Sequence, residues 1–428
     1  MKKTSQYTGI IMLAAILLLT LKSCIKDSGK MSYTYYTPIV HTSASVRASI
    51  KNDIAQPIQN PGKIYIIGTT IFLAEKEKGI HIIDYSNPSS PVNKGFIFIP
   101  GNEDMAINNN ILYADCYTDL MAIDISNLNH IVLKNYAANI YPERSYINGY
   151  SIDSGFVVTD WIKRDTVINA GTSPNPFNYY GIGYTMLGSA YSPAAANTSS
   201  SGSSATGTGT SGSMSKLTIL NNHLYTIDSY NLLAFNISNP ASPALLNSTN
   251  LHLGIGETET IYPFQDKLFI GSTTGMFILS IANPDNPTLL TTFTHATACD
   301  PVITDGKNAY ITLHSGTVCS GIKNELEIVN ISDILNPVLS ATYPMTQPYG
   351  LSKDSNTLFV CDDVLKIYDA SNANALTLLQ SIPMNSPYDI ICQNGIAIVT
   401  AADGLYMLNY SNPSETKILS KLPVISSK

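Results

Sequence analysis

The chain has little charge and almost no tryptophan. Asp, Glu, Lys and Arg make up 13% of its 428 residues, and Trp occurs once. The net charge is −7 with no basic cluster, which excludes nucleic acid as a partner, because backbone phosphates require a dense cationic face. No Gly-x-Ser-x-Gly, Gly-x-x-x-x-Gly-Lys, His-x-x-x-His or Cys-x-x-Cys occurs, so the chain lacks a nucleophile elbow, a phosphate loop and the usual zinc or redox spacings. Gly254-Ile255-Gly256 runs on into Glu257 without the third glycine of a dinucleotide fingerprint. The long apolar run, Gly9 to Leu21, falls short of the roughly 20 residues needed to span a bilayer. What is abundant is hydrophobic residues at 44%, with 26 Tyr, 27 Gly and 23 Pro, a composition that suits many short, half-buried strands joined by turns.

The strongest signal is a recurring heptamer that centres a small polar residue between apolar ones and closes on Ser or Ala and then Asn or Asp. It reads His81-Ile-Ile-Asp-Tyr-Ser-Asn87, Met121-Ala-Ile-Asp-Ile-Ser-Asn127, Leu233-Ala-Phe-Asn-Ile-Ser-Asn239 and Phe277-Ile-Leu-Ser-Ile-Ala-Asn283. It continues as Glu327-Ile-Val-Asn-Ile-Ser-Asp333, Lys366-Ile-Tyr-Asp-Ala-Ser-Asn372 and Tyr406-Met-Leu-Asn-Tyr-Ser-Asn412. The centres, at 84, 124, 236, 280, 330, 369 and 409, are spaced about 40 to 50 residues apart, except for one gap of 112. A β-rich run precedes each copy, such as Ile71-Phe-Leu-Ala74 or Leu358-Phe-Val-Cys361, and Asn-Pro or a relative ends most of them. Proline cannot donate to a strand ladder and Asn closes a turn through its side chain, so each exit is a strand stop. Four strands per roughly 40 residues describe a propeller blade.

Within the long gap, Tyr150-Ser-Ile152, Gly155-Phe-Val-Val-Thr-Asp160 and Arg164-Asp-Thr-Val-Ile168 read as a degenerate further unit. The expected fold is therefore all-β, a propeller of seven or eight four-stranded blades, with eight favoured when that unit is counted. A Ser/Thr/Gly tract from Asn197 to Ser215 ends an insertion at about 169–215. It cannot bury enough apolar surface to offset the entropy of ordering, and reads as a mobile loop.

The heptamers and their Asn-Pro exits resemble the LVIVD repeat of bacterial surface lipoproteins, over about residues 56–428. The resemblance implies a propeller with a role in extracytoplasmic binding or assembly. At the amino terminus, Leu21-Lys22-Ser23-Cys24 resembles a lipobox behind a basic start and a short apolar core. That resemblance implies a signal peptide over 1–23, a lipidated Cys24, a tether to residue 55, and an outer-membrane address on the periplasmic or cell-surface face. Of the five other cysteines, Cys299 and Cys319 flank neighbouring strands of one unit and are expected to form a disulfide, while Cys116, Cys361 and Cys392 read as small buried apolar residues.

The first strand of a propeller blade lines the central channel, so equivalent positions form a ring. Aligned on the second strands, these are Ile64, Asp104, Gly149, Lys216, Thr260, Asp300, Gly350 and Asp389, with Glu103, Glu259, Tyr349 and Tyr388 beside them. Asp104, Asp300 and Asp389, with Tyr349 and Tyr388, form a candidate ligand site at one channel mouth, suited to calcium or a hydroxyl-rich ligand. The favoured function is a non-catalytic binding or scaffold propeller for a protein or glycan. The alternative is a hydrolase or lyase acting on extracellular polysaccharide with these carboxylates as acid and base.

Overall fold

The structure, a computed structural model, describes residues 30–147, 150–169, 209–251, 257–295, 301–315 and 323–425. The expectations for the signal peptide, Cys24, Cys299, Cys319, Asp300 and Gly149 fall outside these residues. The chain divides into two compact units, residues 1–39 with 160–201 and residues 40–159 with 202–428. The first holds much of a two-stranded ribbon in which Lys30–Thr42 pairs with Phe156–Asn169, and Thr34 Oγ1 donates to Asp165 Oδ1 at 2.6 Å.

The second unit is the propeller. Its described residues form seven blades, each a consecutive antiparallel run of four strands. The blades span residues 61–98, 105–137, 217–250, 258–294, 302–344, 351–382 and 387–423, and are numbered 1 to 7 in that order. Their innermost strands are Pro61–Ile67, Met105–Asn108, Leu217–Leu220, Thr258–Phe264, Val302–Thr304, Leu351–Asp354 and Pro387–Gln393. Each contacts the next around the ring, and Pro387–Gln393 returns to Pro61–Ile67 to close it. No strand is exchanged at that seam, because blade 7 takes all four strands from the carboxy-terminal end, the last being Lys417–Pro423. Beyond it, Ile425 N–H donates to Ile58 O at 2.8 Å.

The heptamer can be read atom by atom. Its central residue ends the third strand, and its side-chain oxygen accepts the N–H two residues on in all seven copies, from Asp84 with Ser86 to Asn409 with Ser411, at 2.8–3.2 Å. The next residue (Tyr85, Ile125, Ile237, Ile281, Ile331, Ala370 or Tyr410) is buried, and its N–H donates to the turn between the first two strands. The closing Asn or Asp then offers its carbonyl to the N–H three residues later, again in every copy. The fourth strand carries one bulge at the same place in each blade, which adds twist at the rim. Because each blade lies between two others, its second and third strands are largely buried on both faces, while the fourth alternates half-buried and exposed.

Seven blades, not eight, correct the favoured expectation. The segment read as a degenerate unit forms a two-residue pairing of Tyr146–Ile147 with Tyr150–Ser151, and then the long ribbon strand Phe156–Asn169. Val157 and Val158 are buried, but Ile162 and Val167 are exposed at 42% and 61%. A blade strand needs apolar residues on both faces, and this segment also lacks a heptamer to turn the third strand into the fourth.

Candidate functional site

Of the aligned ring positions, Asp104, Lys216, Thr260, Gly350 and Asp389 lie at or near the starts of their inner strands, while Ile64 lies in the middle of Pro61–Ile67. The channel between them is not open. Gly209–Ser215, the end of the tract read as a mobile loop, crosses the bore as an ordered strap. Thr210–Ser211 pairs with Tyr65 and Ile66 on the inner edge of blade 1, and Gly209 N–H donates to Tyr65 Oη at 3.1 Å. Gly212 N–H donates to Ile64 O at 3.3 Å. Ser213 Oγ accepts Leu351 N–H from blade 6 at 2.8 Å, and Ser215 Oγ lies 3.3 Å from both oxygens of Asp104 in blade 2. Small residues are required here, since a Cβ on Gly212 would lie 2.2 Å from both carboxylate oxygens of Asp389.

The two described carboxylates of the proposed ring are thus consumed internally. Asp104 is 4% exposed; Lys63 Nζ lies 2.8 Å from its Oδ2, and its own neighbours Met105 N–H and Lys216 N–H donate to it as well. Burial works against the charge on Lys63, but Asp104 holds its pKa well above the usual value. An ammonium therefore occupies the position a bridging calcium would take at Asp104. Among the described residues, no group of three or more His, Cys, Asp or Glu is placed to hold a metal ion. Asp389 is fully buried, with Ile390 N–H and Ile64 N–H donating to its oxygens at 3.0 and 3.4 Å. Burial, supplemented by the charge of Asp104, pushes its pKa up to about 7.

Tyr349 and Tyr388 do come together, with ring centroids 5.9 Å apart, and His314 packs against Tyr349 in a tilted arrangement at 4.5 Å. Gln347 Nε2 donates to Tyr349 Oη at 2.9 Å, and Lys76 Nζ lies over the Tyr388 ring at 4.4 Å.

Between blades 2 and 3, a small cleft with room for about one water molecule is lined by Glu103, Tyr141, Glu143, Arg144, Lys216 and others. Sequence reasoning missed Arg144, which lies on the short helix Pro142–Ser145 outside the repeats. Its guanidinium pairs with buried Asp115, donates to Gly101 O at 2.7 Å, and lies 3.6 Å from Glu103 Oε1. Asp115 in turn accepts the N–H groups of Glu103 and Asp104, which fixes the entry to blade 2. Burial works to raise the pKa of Glu103, yet the charges of Arg144, Lys216, Lys63 and Lys76 hold it below the usual value. Glu143 behaves oppositely: burial, with Asp228 adding to it, brings its carboxyl to about 7, and its Oε2 is buried without a hydrogen-bond partner. Cys116, Cys361 and Cys392 are free thiols, the first two buried.

The LVIVD repeat family matches residues 62–97, 103–137 and 211–250, which are blades 1 and 2 and the strap with blade 3. No curated protein matches the chain. Among solved structures, a protein from Lactobacillus plantarum is similar at TM-score 0.53 and 10% identity, covering 86% of this chain and 97% of that one. The periplasmic gluconolactonase PpgL of Pseudomonas aeruginosa is similar at TM-score 0.53 and 9% identity, covering 88% and 97%. The computationally designed Ika8 protein is similar at TM-score 0.51 and 9% identity, covering 87% and 91%. At these identities the likenesses bear on the fold alone. The described residues form a seven-bladed β-propeller in which three consecutive blades match the LVIVD repeat.

Proposed function

We propose that this protein is a non-catalytic binding module, tethered to the outer membrane through a lipid on Cys24 and presenting the channel mouth to a ligand or partner. The observation that carries the reading is the filled bore. With Asp104 and Asp389 bound to Lys63 and the strap, the described carboxylates are not free for chemistry, while Lys76, Lys216, Glu103 and the Tyr349–Tyr388 pair remain at the surface end. Such a rigid floor under a polar and aromatic rim suits recognition, because the site is preorganised before a ligand arrives. Crosslinking on intact cells, followed by recovery of the protein, tests the reading. A partner or glycan at fixed stoichiometry supports it; recovery of the protein alone, together with no thermal shift from any ligand in a broad panel, removes it.

One observation favours a second reading, a polysaccharide hydrolase or lyase. Glu143 and Glu103 line the same cleft with pKa values displaced in opposite directions, the pattern of a general acid beside a carboxylate. Turnover of a polysaccharide panel that is abolished by Glu143→Gln would establish it, and absence of turnover across the panel would dismiss it.

A further inference from the structure

We propose that the channel mouth binds an anionic carbohydrate, a sugar ring bearing a carboxylate. The inference rests on the binding-module reading above and supplies its ligand class.

Charge is the first argument. In a chain of net charge −7, four cations converge on one partly exposed carboxylate, that of Glu103. Two are already matched, Lys63 by Asp104 at 2.8 Å and Arg144 by Asp115. Lys76 and Lys216 make no ion pair among the described residues, and both are half-buried. Glu103 is shared by both, because Asp104 and Asp115 are taken up by Lys63 and Arg144. A half-buried ammonium without a counter-ion of its own is costly, and a ligand carboxylate relieves that cost.

Shape and hydrogen bonding supply the second. The strap floors the mouth, so a polymer cannot thread the channel and must lie across it. Tyr388 and Tyr349, backed by His314, form an aromatic wall on one side, an apolar surface for the C–H face of a sugar ring. On the other side the cleft alternates donors and acceptors (Arg144, Lys216, Glu103, Glu143), and Glu143 Oε2 is a buried polar atom with no partner. A free inorganic anion would use the lysines and leave the tyrosines and Glu143 idle. A neutral sugar would leave the lysines unmatched. A sugar acid uses all three.

The test is isothermal titration of the full-length, detergent-solubilised protein with a galacturonate and a glucuronate tetrasaccharide. Cellotetraose and sodium sulfate serve as comparisons. Binding of at least one acidic tetrasaccharide is expected, with cellotetraose weaker by tenfold or more. Lys76→Gln and Lys216→Gln should each weaken binding by roughly tenfold, the loss of one charge-assisted contact, while Lys51→Gln on the exposed edge of blade 1 leaves it unchanged. Far-ultraviolet melting of each variant confirms that it folds. The proposal is overturned if neither acidic tetrasaccharide binds, if binding ignores the Lys76 and Lys216 changes, if cellotetraose binds as well, or if sulfate competes on equal terms. The binding-module reading fails separately, through the cell crosslinking experiment, so a protein partner recovered there without acidic-sugar binding would remove only this inference.

Discussion

The strap makes one substitution sharply informative. In Gly212→Ala the new Cβ would stand 2.2 Å from Oδ1 and Oδ2 of Asp389 and 2.4 Å from its Cγ, far inside van der Waals contact. Asp389 has nowhere to retreat: it is 0% exposed and held by Ile390 N–H and Ile64 N–H. The strap is likewise tied on both sides, through Gly212 N–H to Ile64 O, through Ser213 to Leu351 N–H and through Ser215 to Asp104. Overpacking of this kind costs about 1–3 kcal/mol, and freeing one or two strap hydrogen bonds adds about 1 kcal/mol each. The expected loss is therefore about 2–5 kcal/mol.

At about 2.1 cal/mol/K per residue, a propeller of this size unfolds with an entropy of roughly 0.8 kcal/mol/K, so the melting temperature should fall by about 3–6 °C. Scanning calorimetry of the full chain measures it. Gly95→Ala is the control, because the nearest atom to its Cβ is 3.6 Å away, ordinary contact distance; it should melt within about 1 °C of the parent chain. The contact is tested by a double-mutant cycle. In an Asp389→Ala background the same Gly212→Ala change should cost less than about 1 kcal/mol, since the carboxylate it strikes is gone. Equal costs in the two backgrounds, or a Gly212→Ala chain that melts like its parent, would refute the placement of the strap against Asp389.

Three further outcomes follow from the same structure. Asp389 has a pKa of about 7 folded against about 3.9 unfolded, so between pH 4 and 7 the native state holds a proton that the unfolded chain has lost, and stability falls as pH rises through that window. Asp389→Asn should flatten the slope and gain on the parent chain by up to roughly 4 kcal/mol by pH 8, as read by urea titration at several pH values; an unchanged slope would contradict the assignment. Asn330→Ala removes the side-chain acceptor for Ser332 N–H at the third-strand exit of blade 5 and should cost about 1 kcal/mol, measurable as a lower denaturation midpoint with unchanged m-value. Cys24→Ala should abolish metabolic labelling with a fatty acid and release the protein from the membrane fraction; retention with label would show that the anchor lies elsewhere.

The fold was legible because nearly everything that shapes a blade is local. One heptamer supplies the last residues of the third strand, the side-chain cap that ends it, the buried residue that ties back to the first turn, and the Asn carbonyl that reverses the chain. The eighth unit misled because Phe156-Val-Val-Thr-Asp160 has strand-forming residues without the burial partners of a blade, and pairing with Lys30–Thr42 satisfied its backbone instead. Alignment also brought Tyr349 and Tyr388 together, as the structure does. What alignment could not supply was the strap. Gly209-Thr-Ser-Gly-Ser-Met-Ser215 has the composition of a disordered tract, yet its small residues are what allow backbone to approach Ile66 O and the Asp389 carboxylate within a closed ring. Its order comes from partners on blades 1, 2, 6 and 7, far away in sequence, and local composition says nothing of them.

The strap also changes what the repeats have to accomplish. A ring of blades made from consecutive strands has a weak point where the last meets the first, since no strand is shared across it and it is held by packing and by scattered hydrogen bonds such as Ile425 N–H to Ile58 O. Here the segment entering blade 3 crosses the bore to bond blade 1 through Ile64 and Tyr65, blade 6 through Leu351 and blade 7 through packing on Asp389. The seam is thereby braced from the inside, and among the residues recruited to do so are the ring positions Ile64, Asp104 and Asp389. The heptamers are nearly interchangeable because each solves the same local problem. Ile64, Asp104 and Asp389 each meet a different part of one crossing segment, and the groups left over at the mouth, Lys76, Lys216, Glu103, Tyr349 and Tyr388, break the symmetry of the repeats.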